Sequence, residues 1–133
     1  MNIKTVGVVG AGSMGSGIAN LAAMKGYKVI LRDLEERLLQ TALERINKFM
    51  EKSVARGKMT EKEKKETLSR IQTTTDMASL READIVIEAV FENLDLKKEV
   101  FARLDEIVPD DVILATNTSS MSITEIASAT KRP

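Results

Sequence analysis

Three glycines near the start of the chain have the spacing of a turn that binds phosphates. Gly10, Gly12 and Gly15 form the pattern Gly-x-Gly-x-x-Gly directly after an apolar run over residues 5–9. The first glycine suits a tight turn, the second lets the backbone approach a pyrophosphate, and the third lets the next helix pack closely against a sheet. The alternative is an ordinary glycine-rich turn without a ligand. The pattern predicts a dinucleotide site built from Gly10, Ala11, Gly12, Ser13, Met14 and Gly15.

An acidic residue stands at the end of the next predicted strand. The apolar stretch over residues 27–32 leads into Asp33, which lies 23 positions after Gly10. A carboxylate at this kind of spacing accepts hydrogen bonds from the ribose hydroxyls of adenosine. Because its charge would repel a 2′-phosphate, we expect NAD rather than NADP as the cofactor. Two alternatives stay open: the guanidinium of Arg32 could meet a phosphate, and Asp33 could instead cap the following helix.

These residues need a scaffold in which strands and helices alternate. We predict strands over residues 5–9, 27–32, 71–74, 84–90 and 112–115, a turn or brief helix over 79–83, and helices over 16–24, 35–56 and 60–70, from 95 and from 122. This alternation is typical of an α/β fold, here a Rossmann-type, doubly wound and mostly parallel sheet. In such a sheet, ligands bind beyond the carboxyl ends of the strands. Residues 10–15, 89–93 and 117–120 are therefore expected at one crevice.

The crossover between the second and third strands is long for a plain Rossmann unit. It predicts a helical hairpin inserted over about residues 35–70, within a single domain that spans residues 1–133. Thr60 and Glu63 predict a capping box at the start of the second helix of the hairpin. In the earlier helix over residues 16–24, the predicted inward residues are Ile18, Leu21 and Ala22. In the first hairpin helix, the predicted apolar face holds Leu38, Leu39, Ala42, Leu43, Ile46, Phe49, Met50 and Val54.

The composition argues against several kinds of protein. The 133 residues include 20 basic and 20 acidic side chains, no cysteine and few aromatic residues. These features argue against a nucleic-acid surface, a disulfide framework and a thiolate metal site. No apolar stretch reaches the roughly 18 residues of a membrane span, and the first strand leaves no room for a secretory signal, so we expect a cytoplasmic protein. The chain also has no histidine, so imidazole chemistry cannot run on these residues alone.

Three motifs at predicted strand ends resemble those of one enzyme family. They are Val-Gly-Val-Val-Gly-Ala-Gly-Ser-Met-Gly over residues 6–15, Glu-Ala-Val-Phe-Glu-Asn over 88–93 and Ala-Thr-Asn-Thr-Ser-Ser over 115–120. Together and in this order they resemble the 3-hydroxyacyl-CoA dehydrogenase family, above all its bacterial 3-hydroxybutyryl-CoA members. The resemblance covers the whole chain. It implies NAD-linked interconversion of an (S)-3-hydroxyacyl-CoA and a 3-ketoacyl-CoA, in fatty-acid β-oxidation or butanoate metabolism.

The resemblance also implies roles for residues beyond the glycine turn. Ser119 matches a catalytic serine beside the substrate oxygen, where a hydroxyl donates a hydrogen bond as negative charge develops. Lys52 and Arg56, on the hairpin, match a segment that approaches coenzyme A, and they are the candidate contacts of its phosphates. The other matched positions surround the cofactor, towards its nicotinamide end: Ala89, Val90, Glu92, Lys97, Asn117 and again Ser119.

Each of these roles has a plainer alternative. The basic residues of the hairpin could form a solvated helix face, and Lys97 could be an exposed helix lysine. Asn117 and Ser119 could bond the backbone of their own loop. For the whole chain, the alternatives are a stand-alone NAD-binding or regulatory module and a Rossmann dehydrogenase that acts on a 3-hydroxy acid without coenzyme A.

The resemblance finally implies what lies outside these residues. In the family, a histidine held by a glutamate is the catalytic base, on segments that follow the Asn-Thr-Ser-Ser loop. A helical C-terminal domain then completes the substrate pocket and the homodimer. We expect this chain to stop before the sixth strand and that domain, and therefore to bind NAD without turnover. The sheet edge left unpaired would favour weak self-association.

Overall fold

The computed structural model describes residues 3–90, 94–109 and 112–116. Five strands form one sheet: β1 (Thr5–Val9), β2 (Lys28–Arg32), β3 (Ile71–Thr74), β4 (Ile85–Glu88) and β5 (Ile113–Thr116). Every neighbouring pair is parallel, and the order across the sheet is β3-β2-β1-β4-β5. The chain therefore winds outward from β1 in one direction and then returns to its other side. This arrangement confirms the predicted doubly wound α/β fold.

Helices cover both faces of the sheet. They are α1 (Ser13–Met24), α2 (Glu36–Ala55), α3 (Glu61–Ser69) and α4 (Leu94–Ile107), with a 3₁₀ helix over Met77–Glu82. Alternate strand residues enter two separate apolar cores: Val8 and Leu31 pack with α1 and α2, whereas Val9 and Ile30 pack with the 3₁₀ helix and α4. Strands buried on both faces are typical of parallel sheets. Within the described residues, no helix combines the length and apolar character needed to cross a membrane.

Helix α1 differs from its prediction at its start and on its buried face. It begins at Ser13, three residues earlier than expected, and Leu21, predicted to face inward, is 59% exposed. The buried face instead runs through Gly15, Ala19 and Ala23 at four-residue spacing. A Cβ at Gly15 would overlap the carbonyl oxygen of Gly10. This close approach sets the rotation of the helix, so small side chains rather than large apolar ones meet the sheet.

The crossover between β2 and β3 is the helical pair α2 and α3. Helix α2 buries its side chains at Leu39, Ala42, Ile46 and Met50, but Phe49, predicted on the same face, is 52% exposed. The chain turns at Gly57, whose φ of 72° suits glycine. The predicted capping box then starts α3, because Thr60 and Glu63 each accept a hydrogen bond from the other's backbone N–H, both at 3.1 Å. The predicted helix from residue 122 lies outside the described residues.

Candidate functional site

The glycine turn joins β1 to α1 at the carboxyl edge of the sheet. Gly10 has a φ of 110°, in the region that favours glycine, and its backbone N–H donates to the carbonyl oxygen of Arg32 at 2.8 Å. A Cβ at Gly10 would overlap the carbonyl oxygen of Ala89, just beyond β4. With the contact between Gly10 and Gly15, two of the three motif glycines are required by the protein's own packing.

Gly12 is different, because it faces open space. A Cβ built on Gly12 would meet no atom within 4 Å. Gly12 is also the N-cap of α1, without a side-chain cap and without an acidic residue in the first turn of the helix. The backbone N–H groups and the dipole at such a terminus attract anions. The space and the charge at this position therefore fit the pyrophosphate of a dinucleotide.

Asp33 connects the end of β2 to the glycine turn. Its Oδ2 accepts a hydrogen bond from the backbone N–H of Ala11 at 2.7 Å, and its Oδ1 accepts one from the N–H of Leu34, also at 2.7 Å. Each carboxylate oxygen retains acceptor capacity for a ribose hydroxyl. The alternative role as helix cap is wrong, because the N-cap of α2 is Glu35.

Arg32 has a structural partner just beyond the end of β3. It alternates with Leu31 along β2 and is only 7% exposed, and its Nε donates to the carbonyl oxygen of Thr75 at 3.2 Å. Burial, together with the nearby Arg103, lowers the pKa of Arg32 below its ordinary value. The Asp33 and Asp76 carboxylates act in the opposite direction on this pKa. Because Arg32 is buried and its Nε is bonded to the backbone of Thr75, the structure favours a structural role for Arg32 over a phosphate contact.

The end of β4 carries a buried ion pair. Lys97, on α4, places its Nζ 2.9 Å from Oε1 and 2.8 Å from Oε2 of Glu88, and both side chains are fully buried. Oε2 of Glu88 also accepts from the backbone N–H of Val90 at 2.6 Å. The N–H of Ala89 donates to the carbonyl oxygen of Val9 at 2.8 Å. The alternative of an exposed lysine is therefore wrong for Lys97.

A groove of about 380 Å³ runs between α1 and α2. Its walls are mostly apolar, with Leu21 and Phe49 among them, and it extends to Ser13 at the glycine turn. Asn20 in this groove is buried, and its Oδ1 has no hydrogen-bond partner within the described part of the chain. The groove therefore offers an apolar surface with one buried acceptor beside the candidate pyrophosphate site.

The amino-acid sequence matches one protein family over almost its whole length. Residues 5–133 match the family described as 3-hydroxyacyl-CoA dehydrogenase, NAD binding domain. The chain belongs to this family. The match confirms the predicted resemblance, and it confirms NAD as the predicted cofactor.

Relatives of this NAD-binding domain agree with the match. A 3-hydroxybutyryl-CoA dehydrogenase of Mycobacterium tuberculosis is 46% identical over 132 residues, which are 98% of this chain and 46% of that protein. A 3-hydroxyadipyl-CoA dehydrogenase of Escherichia coli is 44% identical over 133 residues, which are 100% of this chain and 28% of that protein. The crystal structure of (S)-3-hydroxybutyryl-CoA dehydrogenase from Ralstonia eutropha superposes with a TM-score of 0.96 at 41% identity, covering 98% of this chain and 46% of that one. The chain thus spans less than half the length of each.

The structure brings together part of the predicted NAD site. Four of its parts lie at adjoining strand ends: residues 10–15, Asp33, Ala89 and Val90. Lys97 is buried against Glu88 of β4 rather than exposed. Lys52 and Arg56 are exposed at the end of α2. The other predicted residues, Glu92, Asn117 and Ser119, lie outside the described residues.

Glu88 is a buried charged residue beside the candidate site, and the sequence-based prediction gave it no role. Its sequence signal is a carboxylate within an apolar strand, nine positions before a lysine in the next helix. A charge at such a position needs a buried partner. That reasoning finds the need for a partner but not its identity, because the distance between β4 and α4 follows from the tertiary fold.

Proposed function

We propose that residues 1–133 form the NAD-binding domain of an (S)-3-hydroxyacyl-CoA dehydrogenase, with the α2–α3 pair inserted in it. The supporting observation is the glycine turn, in which the open N-terminus of α1 lies beside Asp33. The pyrophosphate would lie on the backbone of residues 10–15, and the adenosine ribose would bind Asp33. NAD, when bound, supplies the acceptor for a hydride from C3 of the substrate.

The proposed roles on the nicotinamide side extend this assignment. The proposed contacts there are Ala89, Val90, Glu92, Lys97 and Asn117, supported by the resemblance to the family at these positions. Ser119 is the proposed donor to the substrate oxygen, where it would stabilise negative charge as the hydroxyl and keto forms interconvert. The chain contains no histidine, so we propose that the imidazole base of the whole protein lies on another segment. The resemblance to the family supports the further proposal that the acyl-CoA pocket and the homodimer interface also depend on other segments.

The test of NAD binding is a calorimetric titration of the purified chain with NADH and, in parallel, with NADPH. We expect one NADH bound per chain. We expect NADPH to bind at least about tenfold more weakly, because Asp33 would repel its 2′-phosphate. Absence of NADH binding, or equal affinity for the two nucleotides, would contradict the assignment of the site.

We also propose that the end of α2 contacts the phosphates of coenzyme A. Phe49, Lys52 and Arg56 follow one another at three- and four-residue spacing, so they share one face of the helix. All three are exposed, and Phe49 lines the groove between α1 and α2. An apolar surface beside two cations fits a ligand that carries both an aromatic base and phosphates.

The test uses the whole enzyme with Lys52 and Arg56 both replaced by alanine. We expect KM for a 3-hydroxyacyl-CoA to rise about tenfold, while kcat and the affinity for NADH stay unchanged. The control is Lys62→Ala, which removes an exposed charge from α3. An unchanged KM in the double variant would leave these residues as a solvated helix face.

A further inference from the structure

The ion pair between Glu88 and Lys97 is buried, and burying two charges costs desolvation free energy. Both charged groups are fully buried, and a buried ion pair seldom stabilises a fold more than apolar side chains of similar size. Lys97 is also the fourth residue of α4, near the terminus where the helix dipole favours an anion over a cation. Stability alone is therefore a poor reason for this pair.

The contacts of Glu88 show what the pair holds in place. Glu88 ends β4, and its carboxylate joins the backbone N–H of Val90 to the ammonium of Lys97. One side chain thus fixes both the direction in which the chain leaves β4 and the position of the start of α4. A charged, directional contact therefore ties the residue two positions beyond Glu88 to the first turn of α4.

Ala89, the residue that directly follows β4, is in contact with the glycine turn. The N–H of Ala89 bonds the carbonyl oxygen of Val9, and the carbonyl group of Ala89 leaves no room for a Cβ at Gly10. The order of the sheet places β4 on the opposite side of β1 from β2, and Asp33 directly follows β2. Because dinucleotides bind across this reversal of strand order, a cofactor with its adenosine at Asp33 must extend its other half over the end of β4.

We propose that Glu88 is a positioning residue for the nicotinamide half of the cofactor. Through the N–H of Val90 and the ammonium of Lys97, it fixes residues 89–90 and the first turn of α4 before the cofactor binds. The adenosine half, which lies over β2, does not depend on it. The inference rests on the proposed NAD site and adds to that site a buried residue that does not touch the ligand.

The test compares two double variants, E88Q/K97M and E88L/K97M. Both lack the buried charges, so neither leaves an unpaired ion, and both lack the proposed contact of Lys97. Only the glutamine variant keeps an oxygen that can accept from the N–H of Val90. The dissociation constants of NADH and of ADP are measured for each variant, because ADP carries the adenosine and pyrophosphate groups without the nicotinamide.

We expect E88L/K97M to bind NADH about tenfold more weakly than E88Q/K97M, as the loss of one backbone hydrogen bond allows. The affinity for ADP should differ less than about twofold between the two variants. Glu99→Gln, an exposed change on α4, should leave both affinities as in the wild type.

The test depends on whether the affinity for NADH changes more than the affinity for ADP. If the two double variants bind NADH equally, or if NADH and ADP weaken by the same factor, the ion pair has no particular role at the nicotinamide half and the inference is wrong. If the wild-type chain binds neither ligand, the proposed NAD site fails and the inference fails with it. If the wild type binds both ligands and only the inference is wrong, the NAD site stands.

Discussion

Asp33 shows how one side chain can serve both the fold and a ligand. Its two oxygens accept from the backbone of Ala11 and Leu34, so the carboxylate holds the glycine turn in shape before any cofactor binds. Each oxygen can accept a further bond. Its position could be predicted from the motif, but its bond to Ala11 could not, because a contact between residues so far apart in sequence depends on the pairing of β1 with β2.

Replacing Asp33 separates these two roles. We expect Asp33→Asn to weaken NADH binding roughly 10- to 100-fold, because hydrogen bonds to a charged group contribute about 1.5–3 kcal/mol. Its carbonyl oxygen can still accept from Ala11, and only the exposed bond from Leu34 is lost, so the melting temperature should fall by no more than a few degrees. Asp95→Asn, an exposed change on α4, is the control. Unchanged NADH affinity in Asp33→Asn would exclude a ribose contact.

The motif glycines differ in what they are needed for. Gly12 has open space where a Cβ would stand, and its φ of −74° is ordinary for alanine. We expect Gly12→Ala to keep the free energy of unfolding within about 0.5 kcal/mol of the wild type and to lose NADH affinity, because the methyl group occupies the space of the pyrophosphate.

In contrast to Gly12→Ala, we expect Gly15→Ala to lower the free energy of unfolding. Its Cβ would overlap the carbonyl oxygen of Gly10, so α1 must move away from the sheet, at a cost of roughly 1–3 kcal/mol or more. Urea denaturation of both variants measures the difference. Equal stability of the two variants would contradict the packing described for this turn.

At the scale of elements, the spacing of large apolar residues correctly predicted most helices and strands. The strands of β-branched residues and the capping box of α3 were predictable from local sequence. The buried face of α1 was not, because close packing at Gly15 favours Ala19 and Ala23 over Leu21. The burial of Lys97 was missed for a similar reason: its partner lies on another element. The sequence thus predicts the elements better than the contacts between them.

The capping box allows a test of the hairpin by itself. Thr60→Ala removes the side-chain acceptor for the backbone N–H of Glu63, and we expect it to lower the free energy of unfolding by about 1 kcal/mol. Binding of NADH should not change, because α3 lies on the crossover and not at the strand ends. A loss of NADH affinity in this variant would show that the hairpin is coupled to the cofactor site.

At the scale of the whole molecule, Asp84 joins the start of β1 to the start of β4. Its Oδ2 accepts from the backbone N–H groups of Lys4 and Thr5 at 2.8 and 2.9 Å, which connects the starts of β1 and β4. These two bonds, that from Lys4 first, hold the pKa of Asp84 below its ordinary value. The ionised carboxylate therefore stabilises the folded state above the pKa of the unfolded chain.

This contribution should disappear in acid. As the pH falls through the lowered pKa of the folded state, Asp84 becomes protonated and its stabilising effect is lost. We expect Asp84→Asn to melt below the wild type at pH 7, and the difference in melting temperature to shrink below about pH 4. Thermal melts between pH 2 and 7 provide the measurement. A difference that stays constant across that range would exclude this role.

The contact between Gly10 and Ala89 has a consequence for the order of folding. Of the five described strands, β1 is synthesised before the others, yet it is the central strand, flanked by β2 and β4. The β1–β2 and β2–β3 pairs need only about the first half of the chain, which also supplies the buried residues of the apolar core beneath α1 and α2. The contact between Gly10 of the glycine turn and Ala89, however, can form only after β4 has been synthesised. During translation, the adenosine side of the cleft can therefore form well before the side that faces β4.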